Sequence, residues 1–135
     1  MDIKGSIDRI HQSQKNIGDL FYDVFLKRYP EVQAYFQGVD MQRQAVLLAM
    51  QLSIVAVYYQ HRTPAAEMYL RILGTKHKDR GVPREQYPKF RDVLLETLEH
   101  FHGSDWSPEL AAEWKTAIDM AAEKMFEGYV QRFHM

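Results

Sequence analysis

The chain has 135 residues, of which 46% are hydrophobic and 26% charged, a balance typical of one water-soluble domain, here residues 1–135. The formal net charge of -1 argues against a nucleic-acid-binding protein, since such proteins present a concentrated basic face. The absence of cysteine excludes disulfides, thiolate nucleophiles and cysteine-ligated metals.

The longest apolar run covers residues 45–59 and is interrupted by Gln51 and Ser53. It is too short for a membrane span, and no positively charged start precedes an apolar run as in a signal peptide. We therefore expect a cytoplasmic protein that does not bind a membrane.

The first part of the chain predicts two amphipathic helices, because apolar residues recur every three or four positions. One covers residues 2–12. The next begins at Ser13 or Asn16 and continues until Pro30, because proline pushes the preceding residue out of helical geometry. Tyr22 lies at the edge of the apolar stripe, where a tyrosine either packs into the core or points its hydroxyl into a pocket.

The middle of the chain predicts a long central helix. Residues 30–36 favour a short helical turn, and Asp40 can cap a helix from about residue 41 to 60. This helix is apolar nearly all round, so we expect it at the centre of the fold, contacted on several sides. A further helix runs into residues 72–82, where Gly81 ends it.

His77 is the candidate metal ligand of this segment. It stands four residues after Leu73, so both side chains can face the same interior. An imidazole held at a helix end beside an apolar wall is what an axial ligand to haem iron requires. Because residues 76–80 are strongly charged, spacing alone leaves a solvated surface histidine as the alternative.

Two more helices complete the chain. One covers residues 85–101, and the last begins at Ser107, Pro108 and Glu109, a strong start signal, and runs toward Tyr129. No stretch shows the two-residue alternation of a strand. The sequence therefore predicts an all-α domain.

Several segments resemble the globin family, in particular the bacterial single-domain globins that are similar to the haem domain of flavohaemoglobins and to globin-coupled sensors. Residues 20–22, followed fourteen residues after Tyr22 by Phe36, resemble the second helix of that family. His77 followed by Tyr87-Pro88 resembles the proximal segment, and residues 105–114 resemble the start of the last helix. The resemblance implies a globin fold of about seven to eight helices around a haem pocket.

The resemblance also implies the proximal side of the pocket. Haem b is the implied cofactor, and His77 would bind its iron through one ring nitrogen while Tyr87 supports the other. In flavohaemoglobin-like globins a glutamate of the last helix completes this network. Here Tyr129 occupies the spacing at which that acid is expected, and Glu127 is only nearby.

On the distal side, the resemblance implies that Phe36 wedges the haem and that Tyr22 donates its hydroxyl to bound oxygen. The distal position of the central helix is assigned to Gln44, because Leu48 then falls at a haem-facing place. Met41 and Gln42 are the alternatives, since the preceding corner varies in length. The other implied pocket residues are Leu48, Leu73, Val82, Phe90 and Ile118.

Two further sets of residues are candidates for contact with the haem. Those that could bind its propionates are Arg71, Lys76, Arg80 and Arg84. Those that could supply a second iron ligand are His61 and Met41.

A haem protein that reversibly binds oxygen, and also meets nitric oxide or carbon monoxide, is the function that the resemblance implies. Nitric oxide dioxygenation would need a separate reductase, because this sequence lacks the flavin and nicotinamide portion of flavohaemoglobins, so binding ranks above catalysis. The alternatives are a gas- or redox-sensing module that acts through a partner protein and a haem-free helical interaction domain. The oligomeric state stays open, with a homodimer among the alternatives.

Overall fold

The computed structural model describes residues 1–134, and over that range the chain forms helices and connecting turns without a strand. The α-helices are α1 (Ile3–Gln12), α2 (Ile17–Arg28), α3 (Met41–His61), α4 (Pro64–Asp79), α5 (Tyr87–His102) and α6 (Pro108–Val130). The 3-10 segments are Pro30–Phe36, Arg84–Gln86 and Gly103–Asp105. The all-α prediction is confirmed.

Local capping sets where these helices begin and end. Asn16, and not Ser13, caps α2. Asp40 and Ser107 cap α3 and α6, and each side chain accepts a backbone N–H of the first turn, which would otherwise lack a partner. After α4, Gly81 adopts a φ of 79°, the left-handed conformation that glycine takes without steric cost.

Helix α3 is contacted on several sides, as expected, by α1, α2, α4 and α6. It is not fully enclosed, because four of its apolar side chains are 38–54% exposed: Val46, Leu47, Met50 and Val57. A domain of this size has too few helices to surround a central one, so apolar composition alone overstates burial. None of the helices in residues 1–134 is long and apolar enough to cross a membrane.

Glycines at two helix crossings allow backbones to touch. A Cβ on Gly18 would overlap the backbone of Ala45, so α2 and α3 cross closely. A Cβ on Gly74 would likewise overlap the backbone of Met125, where α4 meets α6 in the most extensive helix pair of the fold. These crossings hold together the helices on which most of the predicted site residues lie.

The buried apolar side chains form two clusters rather than one. The larger cluster joins α1, α2, α3, α5 and α6 and includes the fully buried Phe21 and Trp114. The smaller cluster, which includes Leu70 and Met125, lies between α3, α4 and α6. Val55 packs against both. The two clusters therefore meet at Val55 of α3.

Candidate functional site

His77 lies in the last turn of α4 and is half-buried. Its Nδ1 is 2.9 Å from the hydroxyl oxygen of Tyr87, the first residue of α5. Within residues 1–134 no hydrogen bond is made to its Nε2. A neutral histidine that donates from Nδ1 presents a lone pair on Nε2. This donor set fits an axial ligand to haem iron, since one ring nitrogen is held and the other is free.

The ionisation state of His77 suits the same task. Burial lowers the pKa of His77 to about 4, and the nearby positive charge of Arg80 lowers it in the same direction. The imidazole is therefore neutral at neutral pH. A metal-binding histidine must be deprotonated on the coordinating nitrogen, so no proton has to be removed before a metal binds.

Tyr87 connects His77 to the last helix. Its ring packs against Phe126 of α6 with centroids 4.7 Å apart, and Tyr129 lies beside it with centroids 6.3 Å apart. The Tyr129 hydroxyl donates to the carbonyl oxygen of Val82. Burial, and the neighbouring Tyr129 hydroxyl, raise the pKa of Tyr87 well above its ordinary value, so Tyr87 keeps its proton.

Tyr22 and Gln44 meet on the other side of the fold. Tyr22 of α2 is only 8% exposed, and Gln44 of α3 donates from Nε2 to its hydroxyl oxygen at 3.0 Å. Because this oxygen accepts from Gln44, its own proton remains available to a ligand. Burial raises the pKa of Tyr22 to about 12, against the smaller lowering effect of Gln44. The hydroxyl is therefore a permanent donor at physiological pH.

The alternatives to Gln44 occupy different surroundings. Gln42 is exposed, and Met41 is half-buried against the larger cluster. His61 is exposed at the end of α3, roughly 25 Å along the helix from Gln44 at about 1.5 Å per residue. Of these side chains, Gln44 is the one that the structure joins to Tyr22.

The predicted pocket residues divide between the two apolar clusters. Those of the larger cluster are Tyr22, Phe36, Leu48, Phe90 and Ile118. Leu73 and Tyr87 pack against the smaller cluster, next to His77. Phe36 meets Tyr22 edge to face, with ring centroids 5.4 Å apart. Val82 is half-buried, and its backbone forms two hydrogen bonds: the carbonyl oxygen accepts from Tyr129, and the N–H donates to the His77 carbonyl oxygen.

Two of the basic residues considered as partners of the haem propionates already contact other side chains of the protein. Arg71 pairs with Glu67 and with Glu127 across α4 and α6. The guanidinium of Arg84 lies 5.7 Å from the ring centroid of Tyr129. Lys76 and Arg80 are exposed and lie one and three residues from His77 in sequence.

Sequence reasoning did not single out the glycines that bring these helices together. Besides Gly18 and Gly74, Gly128 of α6 lies so close to α4 that a Cβ would overlap the carbonyl oxygen of Arg71. The available signal was a glycine inside an otherwise helical pattern, which commonly marks a close packing contact. Spacing alone does not say which helix approaches.

The globin family model matches residues 19–125. The chain belongs to the globin family. The match runs from α2 into α6 and includes both the Tyr22–Gln44 pair and the His77–Tyr87 pair. The predicted globin fold is thereby confirmed.

Several proteins of other organisms are similar to this globin, and the match covers most of the length of the globins among them. Globin CTT-Z of Chironomus thummi thummi is 28% identical, over 86% of this globin and 78% of that protein. Leghemoglobin-1 of Vicia faba is 26% identical over 87% of each chain. The Flavohemoprotein of Bacillus subtilis (strain 168) is 21% identical over 90% of this globin and 31% of its own length. Family and relatives together support a haem cofactor and the binding of gas ligands.

Proposed function

We propose that this chain is a single-domain globin that holds haem b through His77 and reversibly binds oxygen and other diatomic gases. The observation that carries the proposal is the hydrogen bond between His77 Nδ1 and the Tyr87 hydroxyl, because it holds one ring nitrogen and leaves Nε2 free to ligate. When bound, haem supplies the iron that takes the gas ligand.

The haem would lie at the boundary between the two apolar clusters, with His77 on the side of the smaller one. A flat and largely apolar group needs an apolar wall on each face, and under this proposal the side chains of the two clusters would supply them. Residues proposed to line it are Tyr22, Phe36, Gln44, Leu48, Leu73, Val82, Tyr87, Phe90 and Ile118.

Tyr22 would hold the gas ligand on the distal side. A bound gas ligand with partial negative charge would accept a hydrogen bond from Tyr22, whose hydroxyl proton is free because Gln44 donates to its oxygen. Such a hydrogen bond contributes about 1–3 kcal/mol. This free energy corresponds to a ligand dissociation rate that is about tenfold to hundredfold lower.

Nitric oxide detoxification is a second proposed function, and the similarity to the Flavohemoprotein favours it. Sustained turnover would need electrons from a separate reductase. The same similarity supports the narrower kinship with bacterial single-domain globins that the motifs indicate. Nitrate formation from nitric oxide by the oxygenated protein, measured with and without an added reductase, tests this activity.

Repeated oxygenation tests the main proposal. The haem-loaded protein is reduced and cycled between oxygen and argon while its absorption spectrum is recorded. The expected result is a spectrum that returns after each cycle. Immediate oxidation on first contact with oxygen would contradict reversible binding, whereas failure to take up haem would contradict the proposal as a whole.

A further inference from the structure

We propose that this globin forms a homodimer through the exposed face of α3, which packs in antiparallel orientation against the same face of a second copy. The contact is the outer stripe, defined as Val46, Met50, Ser53 and Val57. Gln44, which meets Tyr22, lies on roughly the opposite side of the same helix. The inference therefore does not rest on the proposed haem function.

The outer stripe is continuous along the helix. Its four members follow one another at spacings of four, three and four residues, which places them within about 60° of one another on the helix surface. Val46 and Met50 are each more than half exposed, and Val57 is 38% exposed. Ser53 is half-buried and contacts His11 of α1. Single exposed apolar residues are normal, whereas a continuous row of them typically indicates a surface that binds another protein.

The outer stripe is complementary to itself under a two-fold rotation. When two copies of α3 cross in antiparallel orientation midway between residues 51 and 52, Val46 of one copy faces Val57 of the other. The long Met50 then faces the small Ser53, so the two surfaces interdigitate. A two-fold dimer needs a surface that fits itself in this way. The antiparallel orientation also places the helix macrodipoles in opposite directions.

Charge favours a second copy as the occupant of this face. The helix α3, Met41–His61, contains no aspartate or glutamate, and in this register Arg43 faces the uncharged Gln60, so no like charges meet. At each end of the contact, Asp40 of one copy lies within one residue of the level of Arg62 of the other. Both are exposed, and Asp40 caps α3 through Oδ1, which leaves Oδ2 available to the guanidinium.

The surroundings of the outer stripe argue against a membrane surface as the occupant. Helices that lie in the membrane interface are rich in lysine and arginine beside the apolar face, whereas Gln42 and Gln60 flank the two ends of the stripe. The stripe is also short. A stable complex uses roughly 20–30 residues a side, so we expect a weak dimer that dissociates on dilution.

Pairs of introduced cysteines test the register, because the chain contains no cysteine of its own. Positions 46 and 57 of one copy are about 16 Å apart along the helix, which is too far for a disulfide. We expect Val46→Cys and Val57→Cys to form a disulfide-linked dimer when they are mixed and mildly oxidised, and not when each is oxidised alone. Met68→Cys of α4, exposed to a similar extent, is the matched control and is expected not to link to Val46→Cys. Equal linking by all pairs, or none by the mixed pair, would overturn the antiparallel register.

Sedimentation velocity over a series of concentrations tests the association itself, on the protein as purified and again after haem addition. We expect the wild type to shift toward the mass of a dimer as the concentration rises. Met50→Glu is expected to weaken association about tenfold or more, because an unpaired carboxylate would be buried. Met68→Glu is expected to associate like the wild type, and circular dichroism verifies that both variants are folded.

The outcomes separate this inference from the proposed haem function, since association is measured with and without haem. A wild type that stays monomeric at every concentration, or a dimer that Met50→Glu leaves intact, would overturn the inference and leave the haem proposal standing. A monomeric wild type that floats with anionic lipid vesicles, with loss of flotation in Met50→Glu, would instead identify the outer stripe as a lipid-binding surface.

Discussion

Tyr22 and His77 share one feature: a single hydrogen bond engages one polar atom of the side chain, and another polar atom or proton stays free. Gln44 occupies the oxygen of Tyr22 and leaves its proton, and Tyr87 occupies Nδ1 of His77 and leaves Nε2. Burial raises the pKa of Tyr22 and lowers the pKa of His77. At neutral pH the tyrosine is therefore a hydrogen-bond donor, and the histidine is a neutral imidazole, the form that our proposal requires of an iron ligand.

Removing the Tyr22 hydroxyl tests the distal half of this arrangement. In Tyr22→Phe we expect oxygen to dissociate about tenfold to hundredfold faster, because a hydrogen bond of about 1–3 kcal/mol to a partly charged ligand is lost. Stopped-flow mixing with dithionite measures this rate. Tyr59→Phe, at a half-buried tyrosine of α3, serves as the control. An unchanged rate in Tyr22→Phe would show that Tyr22 does not contact the ligand.

The sequence identified these side chains, but it did not identify the atoms through which they form hydrogen bonds. Motif spacing placed His77, Tyr87 and Tyr22 in the site, and the structure brings each to a polar partner. Which atom of Gln44 meets Tyr22 depends on side-chain rotamer and helix packing, which spacing does not determine. Val82 was predicted to line the pocket, and spacing did not predict that its backbone would hydrogen-bond to both Tyr129 and His77.

At the scale of secondary-structure elements, the contact between α4 and α6 determines where His77, Tyr87 and Tyr129 meet. Gly74 and Gly128 allow the two backbones to touch. Arg71 and Lys124 then bracket Glu127 along the same interface. A change that separates α4 from α6 should therefore affect both stability and haem binding.

Gly74→Ala tests this contact directly. Its Cβ would overlap the Met125 backbone, and we expect a loss of about 1–3 kcal/mol in the free energy of unfolding. Urea denaturation followed by circular dichroism measures the change. Gly5→Ala is the matched control, because its Cβ would meet mainly the flexible side chain of Met1 at 3.3 Å. Equal stability of the two variants would contradict the close crossing.

The positions at which helices begin were more predictable from the sequence than the residues that surround each helix. Asp40 and Ser107 gave local start signals that the structure confirms. The surroundings of α3 were not predictable in the same way, because burial depends on how many helices the rest of the chain supplies. Met50 and Val57 look like core residues by composition and remain exposed.

At the scale of the whole molecule, a second polar centre joins the first helix to the last two. Ser6 of α1 lies 2.6 Å from His102 Nε2 and accepts from Trp114 Nε1 at 3.0 Å. The Nδ1 of His102 is buried without a protein partner in the described part of the chain. Burial and Arg9 lower the pKa of His102, against the opposing effect of Asp105.

This centre predicts a pH-dependent stability of the haem-free protein. Below a pH of about 6.5 the histidine of the unfolded chain takes up a proton, whereas folded His102 stays neutral until a lower pH. The free energy of unfolding therefore falls as the pH drops, by at most about 1.4 kcal/mol per unit from this proton. Urea denaturation between pH 7.5 and 5.5 measures the slope.

A pair of glutamine substitutions isolates this contribution. His102→Gln removes the titrating group and can keep one hydrogen bond to Ser6, so we expect a flatter slope. His100→Gln changes an exposed histidine two residues away and should leave the slope as in the wild type. Identical slopes in all three proteins would show that His102 does not stabilise the fold in this manner.

Ligation of haem iron by His77 is the central claim, and one absorption experiment tests it most directly. The purified protein is mixed with haem, and spectra are recorded before and after dithionite and then with carbon monoxide, for the wild type, His77→Ala and His100→Ala. We predict a sharp carbon monoxide band of histidine-ligated haem in the wild type and His100→Ala, and its loss in His77→Ala. The same band in His77→Ala, or no haem uptake by the wild type, would contradict this assignment.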